Sequence, residues 1–498
     1  MSTASTNAAV FLGVHLAADR VNVCAVTETG EILCETTAPF AVQHASTASR
    51  GYSEAKPEIW WDATSMALGS LINQLRPKVA SPSQLRAISV SGDPGALLIL
   101  DKRGNPLMPA ILGDDARAVE QAVNLNYLGL DHCKKMGFQF RPDFALAKIA
   151  WIKDNLPELY ENAHFAHTID YILGMLKGEI DATEYSIATK TGCDLLDECW
   201  PDWLDYDMHL GVRDRLPKLV PLGSQVGNVC RRASSATGLP LGIPVVMGTT
   251  SDTASFLASG ARRQGDFHTV LHDGMSISGI SPKMINSSSG QIRSFKLPNR
   301  AWFFTTESRT GAGWIKTWFA ESDFTELEAK AHDLLPSNYL AYPNTRKGET
   351  FPFSSASAEG FISPATDNRV VQFASCLQGT ALFERLCYQK LDKISEHTGS
   401  LGDVYSGGDW SASDSWMQCR ADMTGRVNRR TVGRAHGAFG TAMIGAIGGH
   451  YPSIEEAAEA MVRTERMFFP NPELVNAYAE RFYNFVTLME EQGYIADR

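Results

Sequence analysis

Short apolar runs separated by tight turns open the chain. Residues 10–16 and 21–27 are β-rich, and a third run, 31–40, follows Gly30; this spacing predicts an antiparallel meander of three strands. The period then changes. In residues 56–75 Ile59, Trp60, Ala63, Met66, Ala67 and Leu71 recur at helical spacing, with Pro57 near the first turn, where proline is tolerated. A strand at 86–90 runs into the turn Ser91-Gly92-Asp93-Pro94-Gly95, and a second strand, 96–101, precedes a hairpin at 102–105. Helical spacing returns at 116–128, 144–155 and 169–177, while 181–196 reads as irregular. Residues 221–243, punctuated by Gly223, Gly227, Gly238, Gly242, Pro221 and Pro240, read as a hinge.

The stretch from 244 to 278, PVVMGTTSDTASFLASGARRQGDFHTVLHDGMSIS, organises the rest. Val245, Val246 and Met247 form a short buried strand that Gly248 breaks, and Asp252 stands just before a small-residue helix at 254–259. A second strand ends at Asp273-Gly274. A carboxylate placed like Asp252 suits a general base that takes a proton from a hydroxyl; it equally suits a helix N-cap. Strands follow at 291–296 and 301–306, then a glycine-broken helix at 310–320 and an irregular region at 338–369. A long amphipathic helix covers 372–397, and a strand at 403–405 leads into Gly407-Gly408. The remainder reads as helical, at 413–425, 437–448, 454–462 and 472–492. Each half opens on a strand–turn–strand unit, but the halves share too little sequence to establish a repeat.

At 498 residues the chain exceeds one core, which predicts two lobes, 1–243 and 244–498. Its 44% hydrophobic and 20% charged content is that of soluble globular proteins. Lys+Arg 45 against Asp+Glu 56 gives a net charge of −11, without a basic block. That argues against nucleic acid or an anionic membrane surface as the main partner and leaves small molecules. Nine scattered cysteines without a CxxC pair fit reduced thiols in a cytosolic protein. The first residues lack the pattern of a signal peptide, and no run of 18 apolar residues predicts a membrane span. The expectation is a cytoplasmic, soluble protein.

Several segments resemble the FGGY carbohydrate kinases along nearly the whole chain. YSGGDWSASDSWMQCRADMTGRV (405–427) and HGAFGTAMIGAIGGHYPSIEEAAEAMV (436–462) are similar to that family's adenosine signature, with Ala435 where Glu is usual. KGETFPF (347–353) resembles its G-E-R-x-P segment, and TGAGWIKTWF (310–319) its helix start. In the first half, SGDPGALLILDKRGNPLMPAILGDDARA (91–118) resembles the sugar-binding strand and N-D-x-R segment, and CWPDWL (199–204) a motif of the pentulose branch. MGTTSDTASFLASGA (247–261) looks like G-x-x-D-x-x-A-A-x-x-G-x-G, whose aspartate, the family's catalytic base, falls on Asp252.

The resemblance implies an α/β, two-lobe actin/hexokinase/Hsp70-like (ribonuclease H-like) ATPase fold with an interlobe cleft. It implies phosphorylation of a small ketose, a pentulose of the xylulose or ribulose kind, by ATP with Mg²⁺, and a possible homodimer. Asp252 is the expected base, with Asp93, Asp115 and Arg117 on the sugar; Asp93 in a turn-shaping role and an Asp115–Arg117 surface ion pair stay open alternatives. The expected nucleotide site comprises His15, Asp19, Asp273, Gly274, Gly311, Gly407 and Gly408.

Two phosphate motifs depart from the family. D-x-G-T-(T/S) is replaced by His15, Ala17, Ala18 and Asp19, and L-G-T-S by Leu271-His272-Asp273-Gly274. Imidazole replaces a carboxylate poorly around a hard, oxygen-preferring cation, so Asp19 and Asp273 become the candidates to face the metal. The alternative is a family member with impaired chemistry that only binds a sugar or nucleotide.

Overall fold

The computed structural model describes residues 8–41, 51–206, 208–285, 287, 290–298, 301–397, 399–432 and 437–495; Ala435 and the start of the 436–462 motif lie outside them. The opening meander forms as β1 (Val10–Leu16), β2 (Arg20–Thr27) and β3 (Ile32–Pro39). Alternation sets the two faces of β1. Val10, Leu12, Val14 and Leu16 join Trp60, Leu68 and Leu71 of helix α1 (Glu58–Leu75) in one core. β4 (Leu85–Gly92) lies parallel to β1.

Residues 221–243 are not a hinge. They contain β5 (Gln225–Asn228) and the helix Arg231–Thr237. β5 is the antiparallel edge partner of β6 (Pro244–Thr250), and β6 lies parallel to β4. The first sheet is therefore β5-β6-β4-β1-β2-β3. The strand expected to open the second lobe at residue 244 is hydrogen-bonded into the first sheet, between β5 and β4. Residues 181–196, expected to be irregular, hold a strand at Ala182–Glu184 and a short helix at Tyr185–Ala188.

After α2 (Ser251–Ser259) the second sheet begins, with order β9-β10-β8-β7-β11-β12-β13. Its strands are β7 (Phe267–Leu271), β8 (Met275–Ser281), β9 (Ile292–Lys296), β10 (Trp302–Ser308), β11 (Val404–Gly407), β12 (Asn428–Thr431) and β13 (Thr464–Phe468). β12 and β13 fall in the tail expected to be wholly helical; both are short, and the ladder between them joins residues more than thirty positions apart. Antiparallel neighbours β7, β8 and β10 followed by parallel β7, β11 and β12 repeat the arrangement of β1, β2, β3 and β4. The repeat that the sequence does not establish is thus present in the topology.

Helices α3 (Gly313–Trp318), α4 (Arg369–Ile394) and α5 (Asp414–Thr424) build a core under the second sheet around Trp314, Phe373 and Trp416. Helix α6 (Gly437–Ile447) then returns to the first sheet. Its Ala438, Ala442 and Met443 share a third core with Phe11 of β1, Ala254 and Leu257 of α2, and Phe303 of β10, which ties the two halves together. A smaller contact joins them at the cleft edge: Trp302 packs with Tyr185, Cys193 and Leu195, and Lys296 Nζ donates to the Leu195 carbonyl at 3.1 Å. Among the described residues no helix is long and apolar enough to cross a membrane.

Candidate active site

Strands β1, β4 and β6 run parallel, so their carboxyl ends finish on one edge, where open α/β sheets bind ligands. That edge carries the β1–β2 turn, the turn after β4 and the start of α2. Asp252 lies in the first turn of α2, but it is not the N-cap: Thr250 is, its side chain accepting from Thr253 N–H. The capping alternative is thereby set aside, and the Asp252 carboxylate projects elsewhere.

Asp93 shapes its turn, accepting from Gly95 N–H at 3.1 Å, and its charge also reaches Asp252. Beneath the turn, the fully buried Lys148 donates to the carbonyls of Gly95 (3.0 Å) and Leu112 (2.6 Å). Burial lowers the Lys148 ammonium to about 8, against the opposing pull of Asp115 and Asp143. Asp115 and Arg117 form an ion pair as one of the alternatives had it, yet a buried one. Arg117 Nη2 lies 2.7 Å from Asp115 and 2.6 Å from Glu54, and Asp115 Oδ2 also accepts from Ser53 N–H. Tyr52 and Trp151 cover the guanidinium at 4.1 and 5.0 Å from its carbon to the ring centroids. These two residues pin the 51–55 segment, and both Asp115 oxygens and the Nε and Nη2 of Arg117 are engaged with protein, whereas the resemblance implied sugar contact.

The nucleotide-side residues divide. His15 Nδ1 lies 3.0 Å from Ser91 Oγ, which in turn meets Thr441, so His15 links β1, β4 and α6. Asp19 is exposed and held bidentately by Arg20 at 2.7 and 2.8 Å. On the second sheet the parallel pair β7 and β11 repeats the edge geometry of the first. A cavity of about 590 Å³ opens there, within the size range of small-molecule sites. Its wall includes Asp273, Gly274, Glu307, Arg309, Gly408 and Trp410. Gly408 has φ +82°, a left-handed conformation that glycine adopts without cost. Gly311 supports the wall from behind: a Cβ there would stand 1.8 Å from the Gly274 carbonyl oxygen. Gly407 ends β11 next to it.

Asp273 is flanked by two cations. Arg346 Nη2 lies 3.3 Å from its Oδ2 and Lys316 Nζ 4.0 Å from its Oδ1. Asp19 is likewise neutralised by Arg20, and it does not line the cavity that Asp273 lines. Among the described residues no group of three His, Cys, Asp or Glu side chains is placed to hold a metal ion. The expectation was that Asp19 and Asp273 face the metal; here each carboxylate is exposed and paired with an arginine.

Arg293, on β9, joins the two sides. Its Nη2 is 3.3 Å from Asp252 Oδ2 and 3.6 Å from Glu307 Oε1, and Glu307 lines the cavity. Asp252 is 43% exposed because the cleft is open there, yet protein atoms crowd its other sides. That desolvation raises its pKa above the ordinary value; Arg293 opposes the rise, and Glu307 and Asp93 add to it.

Reading the sequence missed Arg293, Lys148, Lys316, Arg346 and Glu349. Glu349 was in view inside the K-G-E-T segment, but its task was not. Buried, it accepts from Arg309 N–H (2.8 Å), Thr310 Oγ1 (2.7 Å) and Tyr342 OH (3.0 Å), and so holds the loop that leads into α3.

The xylulose kinase of Bacillus subtilis is 26% identical over 484 residues, 95% of each chain. That of Staphylococcus xylosus is 22% identical over 497 residues, 97% of this chain and all of that one. The crystal structure of xylulose kinase from Rhodospirillum rubrum superposes with a TM-score of 0.80 at 22% identity, over 97% of this chain and 98% of that one, which shows the two-domain actin/hexokinase-like fold. Residues 10–258 match the N-terminal domain of the FGGY family of carbohydrate kinases and residues 271–449 its C-terminal domain. With both family models matching and covering most of the chain, the chain belongs to the FGGY family of carbohydrate kinases, phosphotransferases that act on a sugar hydroxyl.

Proposed function

We propose that this kinase phosphorylates a pentulose such as xylulose from ATP, with Asp252 as the base. The observation that carries the reading is the position of Asp252, at the carboxyl end of β6 and joined through Arg293 and Glu307 to the cavity of the other lobe. Relatives named xylulose kinase that match over 95% of the chain, and the CWPDWL segment, support the pentulose. In this reading the sugar lobe runs through Ser259 and the nucleotide lobe begins at Phe267. The nucleotide lies in the cavity with Trp410 and Gly408 at one end and Arg309, Lys316 and Arg346 at the other. Magnesium, which the family implies, supplies charge on the nucleotide's phosphates.

The sugar lies on the turn that Lys148 holds through Gly95 and Leu112. Asp252 orients the attacking hydroxyl and takes its proton as the new P–O bond forms; closure of the lobes excludes water, a competing acceptor. Coupled ADP release with Mg-ATP across ketoses, polyols and sugar acids tests the substrate. Turnover confined to a ketopentose is expected; turnover with a polyol or sugar acid alone would reassign it.

Two further results are expected. A base must be deprotonated to act, and a raised pKa moves its acid limb upward. The pH profile of kcat/KM should therefore fall, with decreasing pH, through a point above the ordinary aspartate value of about 3.9. A limb at or below that value would contradict the role of Asp252. Asp273, for its part, competes with phosphate for Lys316 and Arg346. Asp273→Asn should tighten ADP binding roughly two- to fivefold, the worth of one exposed ion pair. Titration calorimetry reads the effect, and weaker binding would show that Asp273 serves the nucleotide after all.

A further inference from the structure

We propose that Arg293 is a catalytic residue: its guanidinium leaves Asp252 and Glu307 to hold the transferring phosphoryl group between the lobes. The inference rests on Asp252 being the base.

Position is the first ground. Arg293 comes from the second sheet, and its two partners stand on opposite sides of the reaction: Asp252 at the sugar edge and Glu307 in the cavity wall. A base works within about 2.6–3.2 Å of the hydroxyl it serves, and that oxygen attacks from about 3–3.5 Å. A guanidinium nitrogen 3.3 Å from the Asp252 carboxylate therefore lies within about 10 Å of the reacting phosphorus, and the exposed arginine side chain can turn toward it.

The second ground is charge. Phosphoryl transfer spreads negative charge over three equatorial oxygens, and catalysis is mainly its stabilisation. The turns at 17–19 and 272–274 hold no hydroxyl side chain, and the carboxylates found there repel phosphate unless they are neutralised. The cavity's own cations already have partners: Arg309 Nη1 donates to the Lys347 carbonyl at 2.7 Å, and Lys316 and Arg346 flank Asp273. Arg293 stands between Glu307 of the cavity wall and Asp252, and its planar fork matches two phosphate oxygens. Its side chain is 52% exposed, so the ion pairs it makes contribute little to stability and leave it free to change partners.

The step balances. The sugar oxygen forms a bond to the γ-phosphorus while the bond from that phosphorus to the β,γ-bridging oxygen breaks, its electron pair leaving with ADP. The hydroxyl proton goes to Asp252. Arg293 exchanges no proton and supplies only charge.

The test compares ADP with adenylyl imidodiphosphate, a non-hydrolysable ATP analogue, binding to wild type, Arg293→Ala and Arg293→Lys in magnesium buffer. Arg293→Ala should weaken the analogue about tenfold, the worth of a charge-assisted pair, and ADP less than about twofold, with Arg293→Lys intermediate. In turnover, kcat should fall by about 10³-fold, as when an arginine that stabilises this transition state is removed, with the sugar KM within about threefold. Equal weakening of both nucleotides, or of neither, would overturn the proposal. Should wild type release no ADP with any sugar, the kinase assignment fails on that result alone, while the comparison of the two nucleotides still decides whether Arg293 meets the third phosphate. An unchanged melting midpoint shows that the variants fold.

Discussion

Asp252→Ala is expected to lower kcat by about 10²–10⁴-fold, the range lost when a positioned base is removed. The carboxylate stands at the carboxyl end of β6, in the first turn of α2, and Thr250 rather than Asp252 caps that helix. Its removal therefore takes no capping hydrogen bond from the fold, and ADP affinity should stay close to that of wild type. The substitution also leaves Arg293 without one of its two anions, which is why Asp252→Asn belongs beside it. Asparagine keeps the size and a hydrogen bond to Arg293 but cannot accept the proton, so it should be nearly as slow as alanine. Coupled ADP release reads both. An asparagine variant within about tenfold of wild type would mean that Asp252 positions the sugar and takes no proton.

Glu384→Ala should cost about 3–5 kcal/mol of stability, the penalty of leaving one member of a buried ion pair unpaired. Arg420 Nε and Nη2 donate to the two Glu384 oxygens at 2.7 and 2.6 Å, and both side chains are almost fully buried between α4 and α5. Tyr388 donates to the same carboxylate, so three groups lose their arrangement together. The double replacement Glu384→Leu with Arg420→Met removes both charges and should recover most of the loss, because an apolar pair of similar volume suits the same space. Urea unfolding followed by circular dichroism measures both variants. A single-variant loss under about 1 kcal/mol would show that water reaches the pair.

How much was legible can be judged from particular residues. The strand at 10–16 was readable to its ends because a β-rich run bounded by a turn is a local property, and β1 places Val10, Leu12, Val14 and Leu16 on one face. The 221–243 segment misled for the opposite reason. Glycine and proline punctuation is also local, but what makes Gln225–Asn228 a strand is its ladder with β6, a partner chosen by the fold. Asp115 and Arg117 were recognisable as a pair, and only packing under Tyr52 and Trp151 decided that they are buried. Arg293 had no local mark at all. It is one polar residue in a strand, and its meaning comes from Asp252, forty-one positions earlier and on the other side of the cleft.

By itself, then, the sequence determined the order of most elements and carried the resemblance that names the family and, through it, the aspartate expected to be the base. These rest on motif residues, residue type and short-range period, which survive without coordinates. The tertiary structure alone decided the repeated sheet topology, the neutralisation of Asp19 and Asp273 by arginines, and the guanidinium that spans the two lobes. The physical reason is common to all three. Strand pairing and charge compensation depend on which distant residues arrive within a few ångströms of one another, and that distance is a property of the folded chain.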